Sequence, residues 1–152
     1  MQSIMRLAEV LDLPRVEAIV DAAYRVYIPR MGREPGPMLE NYAALQQAGH
    51  LWVLEVSGQV AGILVLIREK EAMLLDNVAL GPEYQGRGLG RVLMAFAEQA
   101  ALDARCSAIR LYTNEAMSEN LALYARLGYV ETHRAGDSGF HRVYLTKSLE
   151  PV

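Results

Sequence analysis

A glycine-rich hexapeptide, Gln85-Gly86-Arg87-Gly88-Leu89-Gly90, stands between a strand-like run and a helix-like run of the chain. Residues 73–80 before it are mostly apolar, and residues 91–101 after it are rich in helix-forming types. A glycine-rich turn that opens a helix gathers unpaired backbone N–H groups at the positive end of the helix dipole, and glycines let a ligand approach closely. The arrangement predicts a phosphate-binding turn at residues 85–91, and the alternative is an ordinary strand-to-helix turn.

The spacing of this turn excludes the two common nucleotide-binding loops. A dinucleotide fingerprint would need a third glycine at the position of Arg91. An ATP-type loop over residues 81–86 would need Lys and then Ser or Thr, whereas the chain continues with Arg87-Gly88. The predicted phosphate ligand therefore belongs to another class of cofactor.

The remaining pattern is Gln/Arg-x-x-Gly-x-Gly/Ala, which Gln85, Gly88 and Gly90 satisfy. In these residues the chain resembles the GNAT superfamily of acetyl-coenzyme A-dependent N-acetyltransferases. The resemblance implies acetyl-coenzyme A as co-substrate, without a metal ion. The coenzyme-binding residues that it implies are Val78, Ala79, Leu80, Gln85, Gly86, Arg87, Gly88, Leu89, Gly90, Arg91, Asn114 and Asn120.

Composition indicates an ordinary globular protein. A chain of 152 residues is expected to form a single domain over residues 1–152 and to bury a core without disulfides or metal ions. Its net charge of −3 argues against nucleic acid as the main partner. Arg6, Glu9 and Asp12 interrupt the start, so we expect neither a signal peptide nor a membrane span. The single cysteine, Cys106, fits the reducing cytoplasm.

Periodicity of apolar residues predicts an alternation of strands and helices. Strands are expected at residues 3–7, 51–56, 60–67, 72–80, 108–113, 129–134 and 140–146, and helices at residues 13–30, 38–47, 88–105 and 119–127. Asp12 is expected to cap the first helix, and Gly128 to end the last one. A loop at residues 135–139 would join the last two strands into a hairpin.

This order of elements predicts an α+β sandwich with a mixed, mostly antiparallel sheet flanked by helices. The strand–helix–strand unit at residues 72–113 is the place for a parallel pair, through a right-handed crossover. The same order of elements is similar to the GNAT fold along essentially the whole chain.

A second motif, residues 120–129, resembles the family helix that bears a tyrosine and ends in Leu-Gly-Tyr. In the family that tyrosine lies near the coenzyme sulfur and protonates the departing thiolate, which implies this role for Tyr124. The alternative is a core tyrosine, because Leu121, Tyr124 and Leu127 fall on one helical face. Met117 and Asn120 depart from the Asn and Ala that many members carry at those positions, and Asn114 or Asn120 is expected to supply the amide contact instead.

The general base is less clearly marked. An amine of ordinary pKa is protonated at neutral pH, so a group must accept its proton before attack. Asp76, Glu115, His133 and His141 are candidates, and Asp76 is preferred because it adjoins the coenzyme strand. Tyr112 occupies the position at which a subset of the family carries a glutamate that acts as general base. The two histidines are expected to face one another across the hairpin, and a bound water relay remains an alternative.

The acceptor site is expected over the first helices, as in the family. Tyr24, Tyr27, Arg30 and Arg33 cluster near a Pro/Gly-rich loop, where arginines would suit an amine that carries a carboxylate. The alternative is a solvated basic loop. The expected partner is this amine, a small molecule or peptide, with a homodimer left open.

Two other functions compete with the enzyme. The chain could bind acyl-coenzyme A as a sensor without turnover, but Tyr124 argues for catalysis. It could also be a structural interaction domain, but the glycines at residues 85–90 would then weaken a helix start without a packing gain.

Overall fold

The computed structural model describes residues 2–137 and 140–149. Within them the strands are β1 (Ser3–Leu7), β2 (Leu51–Val56), β3 (Gln59–Arg68), β4 (Ala72–Leu80), β5 (Ala108–Asn114), β6 (Val130–Asp137) and β7 (Phe140–Ser148). The α-helices are α1 (Leu13–Tyr24), α2 (Ile28–Met31), α3 (Tyr42–Gln47), α4 (Leu89–Asp103) and α5 (Ser118–Arg126). Short 3₁₀ turns lie at Val10–Asp12, Arg25–Tyr27, Gly36–Leu39 and Pro82–Tyr84.

The seven described strands form one sheet in the order β1-β2-β3-β4-β5-β7-β6. Neighbouring strands are antiparallel except for β4 and β5, which are parallel and are connected in the chain by helix α4. This confirms the predicted α+β fold and the position of its parallel pair.

Alternation along the strands divides the core between two faces of the sheet. Val53 and Ile63 belong to one buried cluster, with the apolar face of α1 and Tyr42 of α3. Leu54 and Leu64 belong to the other, with the apolar face of α4. The sheet is therefore covered by helices on both faces.

The predicted helix at residues 13–30 is wrong in its last third, after Tyr24. The α1 helix ends at Tyr24, a 3₁₀ turn follows, and α2 restarts with Pro29 in its first turn. Proline lacks an N–H group and clashes with the preceding turn, so it fits the start of a helix and not its interior. Gly32, in a left-handed conformation at φ +72°, then ends α2.

Two further local predictions are corrected. Asp12 precedes α1 without capping it, because its carboxylate accepts hydrogen bonds from Arg6 and from the Glu9 N–H group. The predicted helix at residues 38–47 begins only at Tyr42, because the Asn41 side chain accepts a 3.0 Å hydrogen bond from the Ala44 N–H group and caps α3 there.

The register of the last hairpin also differs from the expected one. A register shift between Glu131 and His133 places His133 opposite Tyr144 and His141 opposite Gly136, so the two histidines do not face one another. Strand β6 extends into the predicted loop, of which residues 138 and 139 lie outside the described residues.

Candidate active site

The two parallel strands separate halfway along their length. Ala72–Leu75 of β4 pairs with residues 108–111 of β5, and no pairing follows. Strand β3 nevertheless stays paired with β4 as far as Leu80, and β7 with β5 as far as Asn114. On the edge that faces β5, the backbone of residues 76–80 therefore lacks a strand partner and is open to a ligand.

The first of two cavities at this opening lies between the end of β4 and the start of α4, and its volume is about 310 Å³. Six of the predicted coenzyme residues line it, together with two of the predicted acceptor residues and Tyr124. These nine residues are Val78, Ala79, Leu80, Gln85, Gly90, Asn120, Tyr24, Tyr27 and Tyr124.

The glycine turn beside this cavity has the conformation that its sequence predicts. Gly86 and Gly88 both adopt the left-handed conformation at φ +78°, and Gly88 occupies the N-cap position of α4. A Cβ atom built on Gly86, Gly88 or Gly90 would meet no protein atom within 4 Å, so their backbone faces open space. Unpaired N–H groups at a helix start with room in front of them fit a pyrophosphate group.

The remaining residues of the turn contribute differently. The Leu89 side chain is buried in the core, which leaves only its backbone for a ligand. Arg87 lies with its guanidinium carbon 5.6 Å from the centre of the Tyr84 ring. Arg87 and Arg91 are exposed beside the turn and do not line the first cavity.

The second cavity lies on the other side of the opening, with a volume of about 100 Å³. Its wall includes the carboxyl groups of Asp76 and Glu40, and the Tyr112 hydroxyl donates a 3.0 Å hydrogen bond to Asp76 Oδ1. Asp76 lies at a β-bulge, since Val65 of β3 pairs with Asn77 and the next residue of β3 pairs with Leu75. A bulge re-aims the side chain that it carries.

Tyr124 of α5 lines both cavities and is only 7% exposed. Among the described residues its hydroxyl has no hydrogen-bond partner. Burial raises the pKa of Tyr124 to about 12, so the hydroxyl keeps its proton at neutral pH. The structure thus places a neutral proton donor where the two cavities meet.

The two predicted asparagines lie nearby. The Asn114 side-chain oxygen accepts a 2.9 Å hydrogen bond from the Ala116 N–H group, which holds the turn into α5. Asn114 lines the second cavity, and Asn120 lines both. Asn120 Nδ2 lies 3.7 Å from the Met117 sulfur.

A buried polar network that the sequence analysis did not identify surrounds Asn77. The Tyr24 hydroxyl lies 2.5 Å from Asn77 Oδ1 and 3.1 Å from the Val78 carbonyl oxygen, and Asn77 Nδ2 donates a 2.9 Å hydrogen bond to the Tyr42 hydroxyl. The Tyr42 hydroxyl in turn donates to the Pro37 carbonyl oxygen. One sequence signal does point to this network, since Asn77 is a lone amide in an apolar strand.

The predicted acceptor residues are brought together in part, since the Tyr24 and Tyr27 ring centres lie 6.4 Å apart and the Arg30 guanidinium carbon lies 5.1 Å from the centre of the Tyr27 ring. Arg30 makes two hydrogen bonds to the Glu119 carboxylate, at 2.7 and 2.9 Å, and is therefore engaged with α5. The guanidinium carbon of Arg33 lies 4.0 Å from the centre of the Phe140 ring. Neither arginine lines either cavity, and Tyr27 lines the coenzyme side. Of these four residues, Tyr24 reaches the second cavity.

The other candidate bases lie apart from Asp76. Glu115 is paired with Arg134 at 3.7 Å, and His133 stacks on the Tyr144 ring at 4.3 Å between ring centres. His141, Glu115 and His133 line neither cavity. Glu40, by contrast, was not among the candidates, because no motif marks an acidic residue in the loop before α3.

We searched the part of the chain that the structure describes for metal-binding groups and membrane-spanning helices. It contains no group of three or more His, Cys, Asp and Glu side chains placed to hold a metal ion. None of its helices is both long and apolar enough to cross a membrane.

Comparison with protein families gives a match to the model of the "Acetyltransferase (GNAT) family" over residues 13–129. Among curated relatives, "N-acetyltransferase family 8 member 2" of Rattus norvegicus is 27% identical over 94 residues. That alignment covers 58% of this chain and 42% of the relative, so the matched stretch spans less than half of the relative's length.

Solved structures agree in fold. The ribosomal-protein-S18-alanine N-acetyltransferase from Escherichia coli superposes with a TM-score of 0.77 at 18% identity, over 99% of this chain and 96% of that one. The PaiA N-acetyltransferase from Thermoplasma acidophilum, solved in complex with coenzyme A, superposes with a TM-score of 0.74 at 17% identity, over 98% of this chain and 100% of that one. At such identities the likeness concerns the fold.

Proposed function

The chain belongs to the acetyltransferase (GNAT) family, and from this premise we propose that it transfers the acetyl group of acetyl-coenzyme A to a primary amine of a small molecule or peptide. The observation that carries the proposal is the position of Tyr124. It lies between a cavity beside the glycine turn and a cavity that contains two carboxyl groups. A transfer reaction needs this arrangement, because donor and acceptor must meet at one proton-donating group.

The first cavity is proposed to hold the coenzyme. Backbone N–H groups of residues 86–91 would bind the pyrophosphate, with charge from Arg87 and Arg91. The open edge of β4 at Val78, Ala79 and Leu80 would bind the pantetheine arm. That a protein of this fold binds coenzyme A is supported by the PaiA N-acetyltransferase structure, which was solved in complex with coenzyme A.

The chemistry proposed for this site is direct attack of the amine on the thioester carbonyl. Acetyl-coenzyme A supplies the activated acyl group, and the protein supplies orientation and electrostatics. A backbone N–H group at the open end of β4 would stabilise the developing oxyanion, an effect worth about 3 kcal/mol in other enzymes. Tyr124 would protonate the departing thiolate, and its raised pKa keeps it in the protonated form that this role requires.

The second cavity is proposed to receive the acceptor amine. Asp76 and Glu40 suit the binding of an ammonium group, and Arg142 contributes a positive charge to the same cavity, whereas Arg30 and Arg33 line neither cavity. A cytoplasmic location remains part of the proposal, and the buried single cysteine, Cys106, is compatible with it.

The test separates the enzyme from a sensor. Isothermal titration should first show that the protein binds acetyl-coenzyme A, which an interaction domain without a coenzyme site would not do. The protein is then incubated with acetyl-coenzyme A and pools of amino acids, polyamines, aminoglycosides and peptides with free N-termini. Thiol release that depends on one pool supports the transferase, whereas binding without amine-dependent thiol release in any pool would support a sensor.

A further inference from the structure

We propose that Glu40 and Asp76 act together as one proton-accepting pair for the acceptor amine, a role that rests on the proposed function. The two residues come from different parts of the fold. Asp76 lies at the bulge of β4. Glu40 has an extended backbone conformation and connects the Gly36–Leu39 turn to the N-cap of α3. Both line the second cavity.

The contacts around the pair define its geometry. Glu40 and Asp76 line the same cavity of about 100 Å³, in which Asp76 accepts the 3.0 Å hydrogen bond from Tyr112. Two carboxyl groups in contact are stable only when a proton lies between them or a cation lies beside them. An ammonium group that enters the cavity meets both needs, since it supplies a charge and a proton.

The same cavity contains the group at which the reaction would end. The Tyr124 hydroxyl faces this space without a hydrogen-bond partner among the described residues, although the side chain is 7% exposed. A hydroxyl that lines a cavity and has no protein partner can hydrogen-bond a ligand atom there. The pair and Tyr124 are therefore proposed to act on one substrate in the same cavity.

Charged and titratable groups surround Glu40 on both sides. Inside the cavity they are Asp76 of β4, Tyr112 of β5, Arg142 of β7, Tyr24 of α1 and Tyr124 of α5. On its other side Glu40 borders an open groove whose charged and titratable residues are Glu17, Asp21, Arg25, Glu34 and Tyr42. Arg142 favours the charged form of Glu40, and burial and Asp76 oppose it.

The balance of these effects sets the working pH of the pair. Glu40 is exposed at the rim of the cavity, and its partial burial there, followed by the neighbouring Asp76, raises its pKa to about 7. The proton of such a pair belongs to both groups. Above about pH 7 the Glu40 carboxyl is ionised and the pair can accept a proton, whereas below it Glu40 already holds one. Activity limited by this step should rise with pH through neutrality.

The protons of the reaction balance as follows. The acceptor ammonium gives one proton to the pair, and its lone pair attacks the thioester carbonyl carbon. The C–N bond forms, the C–S bond breaks, and the sulfur takes the proton of Tyr124. The attacking nitrogen loses a second proton, which replaces that of Tyr124, and the pair releases its own proton to water. Each acetylation therefore releases one proton.

The test measures kcat/KM against pH for the wild type, Glu40→Gln and Asp76→Asn. Two acceptors with different amine pKa values are used, because a limb that belongs to the enzyme stays at the same pH for both. For the wild type, kcat/KM should rise with pH around pH 7, and this rising part of the profile is the limb that the test follows. Each variant should lose this limb and fall about 10²-fold in kcat/KM at pH 8, a usual factor for general base catalysis. Glu34→Gln is the matched control, since Glu34 borders the open groove and not the cavity, and it should keep the limb.

A second measurement does not depend on activity. The raised pKa of Glu40 means that the folded state holds this proton more tightly than the unfolded state, so the stabilisation is present at low pH and lost as pH rises through about 7. Between pH 5 and 8 the Tm of Glu40→Gln should therefore rise relative to wild type, and that of Glu34→Gln should not.

The outcomes distinguish the two claims. An unchanged limb in Glu40→Gln, with an active wild type, would overturn the pair and leave the acetyltransferase intact. A relative Tm of Glu40→Gln that is independent of pH would overturn the pair as well. A wild type that acetylates no amine, while the pH-dependent Tm difference persists, would overturn the proposed function and the catalytic role of the pair with it.

Discussion

The Tyr24 hydroxyl donates a 2.5 Å hydrogen bond to Asn77 Oδ1 and so joins the end of helix α1 to the strand that lines both cavities. Both side chains are buried. Asn77 also donates to Tyr42, which holds the Pro37 carbonyl oxygen, so the loop bearing Glu40 is fixed through the same amide. A satisfied polar network of this kind fixes the relative position of the elements that it connects.

Tyr24→Phe should destabilise the protein. It leaves Asn77 Oδ1 buried without its donor, which costs about 1–3 kcal/mol of unfolding free energy. Tyr129→Phe is the matched control, because the buried Tyr129 hydroxyl has no partner among the described residues and its removal should leave stability unchanged or raise it. Denaturant unfolding at pH 7 measures both variants, and equal losses would contradict the importance of the network.

Gly90→Ala should weaken coenzyme binding without harming the fold. Gly90 lies in the first turn of α4, and an added Cβ would meet no protein atom, so stability should stay or improve by about 0.5–1 kcal/mol. The same Cβ would enter the space assigned to the pyrophosphate, and the Kd for acetyl-coenzyme A should rise about tenfold, or about 1.4 kcal/mol. Calorimetric titration checks this.

The control for Gly90 lies on the same helix. Gln99→Ala, more than two turns further along α4, should bind the coenzyme as the wild type does. Gly88 is less informative, since a side chain at its left-handed φ of +78° is strained in any case. Unchanged affinity in Gly90→Ala would remove the phosphate site from the turn.

Tyr124→Phe should lower kcat about 10²-fold, the usual scale for loss of a general acid, and leave coenzyme affinity unchanged. Because the pKa of Tyr124 is about 12, this residue should add no limb to the pH profile between pH 6 and 9. Tyr129→Phe again serves as control, since the Tyr129 ring packs 5.9 Å from that of Tyr124 and takes no part in the cavities. If the chemical step limits the rate and kcat of Tyr124→Phe is still unchanged, Tyr124 has only a structural role.

Asp12→Ala should destabilise the protein at neutral pH by about 1 kcal/mol, the usual net contribution of a hydrogen bond. Asp12 accepts from the Glu9 N–H group and from Arg6, and the Arg6 hydrogen bond lowers the pKa of Asp12 in the folded state. A carboxylate with a lowered pKa stabilises the folded state at pH values above its unfolded-state pKa near 4. This stabilisation is lost as pH falls through the folded-state pKa. Unfolding of wild type and variant should therefore converge at acid pH, and a difference independent of pH would contradict this role of Asp12.

Local signals predicted much of this fold. The boundaries of β2 at residues 51–56 and of β4 at residues 72–80 follow from apolar runs bounded by turn residues. The glycine turn and Tyr124 follow from short motifs, whose geometry is set within a few residues. Pro29 and Asn41 carry the signals that end or start helices, and giving them their full weight would have corrected two of the predicted helices.

The pairing of distant residues could not be predicted in this way. Arg30 meets Glu119 rather than a ligand because α2 and the start of α5 come together only in the folded chain. Glu40 meets Asp76 because a bulge re-aims Asp76 and the Asn77 network fixes the loop. A bulge leaves no mark in the pattern of apolar residues in β4, and a carboxylate in a loop has the sequence signature of a solvated surface residue.

The fate of the acetyl group tests the central claim most directly. Acetyl-coenzyme A with an isotopic label in the acetyl carbons is incubated with the protein and the amine pool that gives most thiol, and the label is traced by mass spectrometry. We expect the label to enter an amide of one pool member, in step with thiol release, and Tyr124→Phe to slow both together. Label that stays on the coenzyme, or appears only as free acetate, would contradict transfer to an amine.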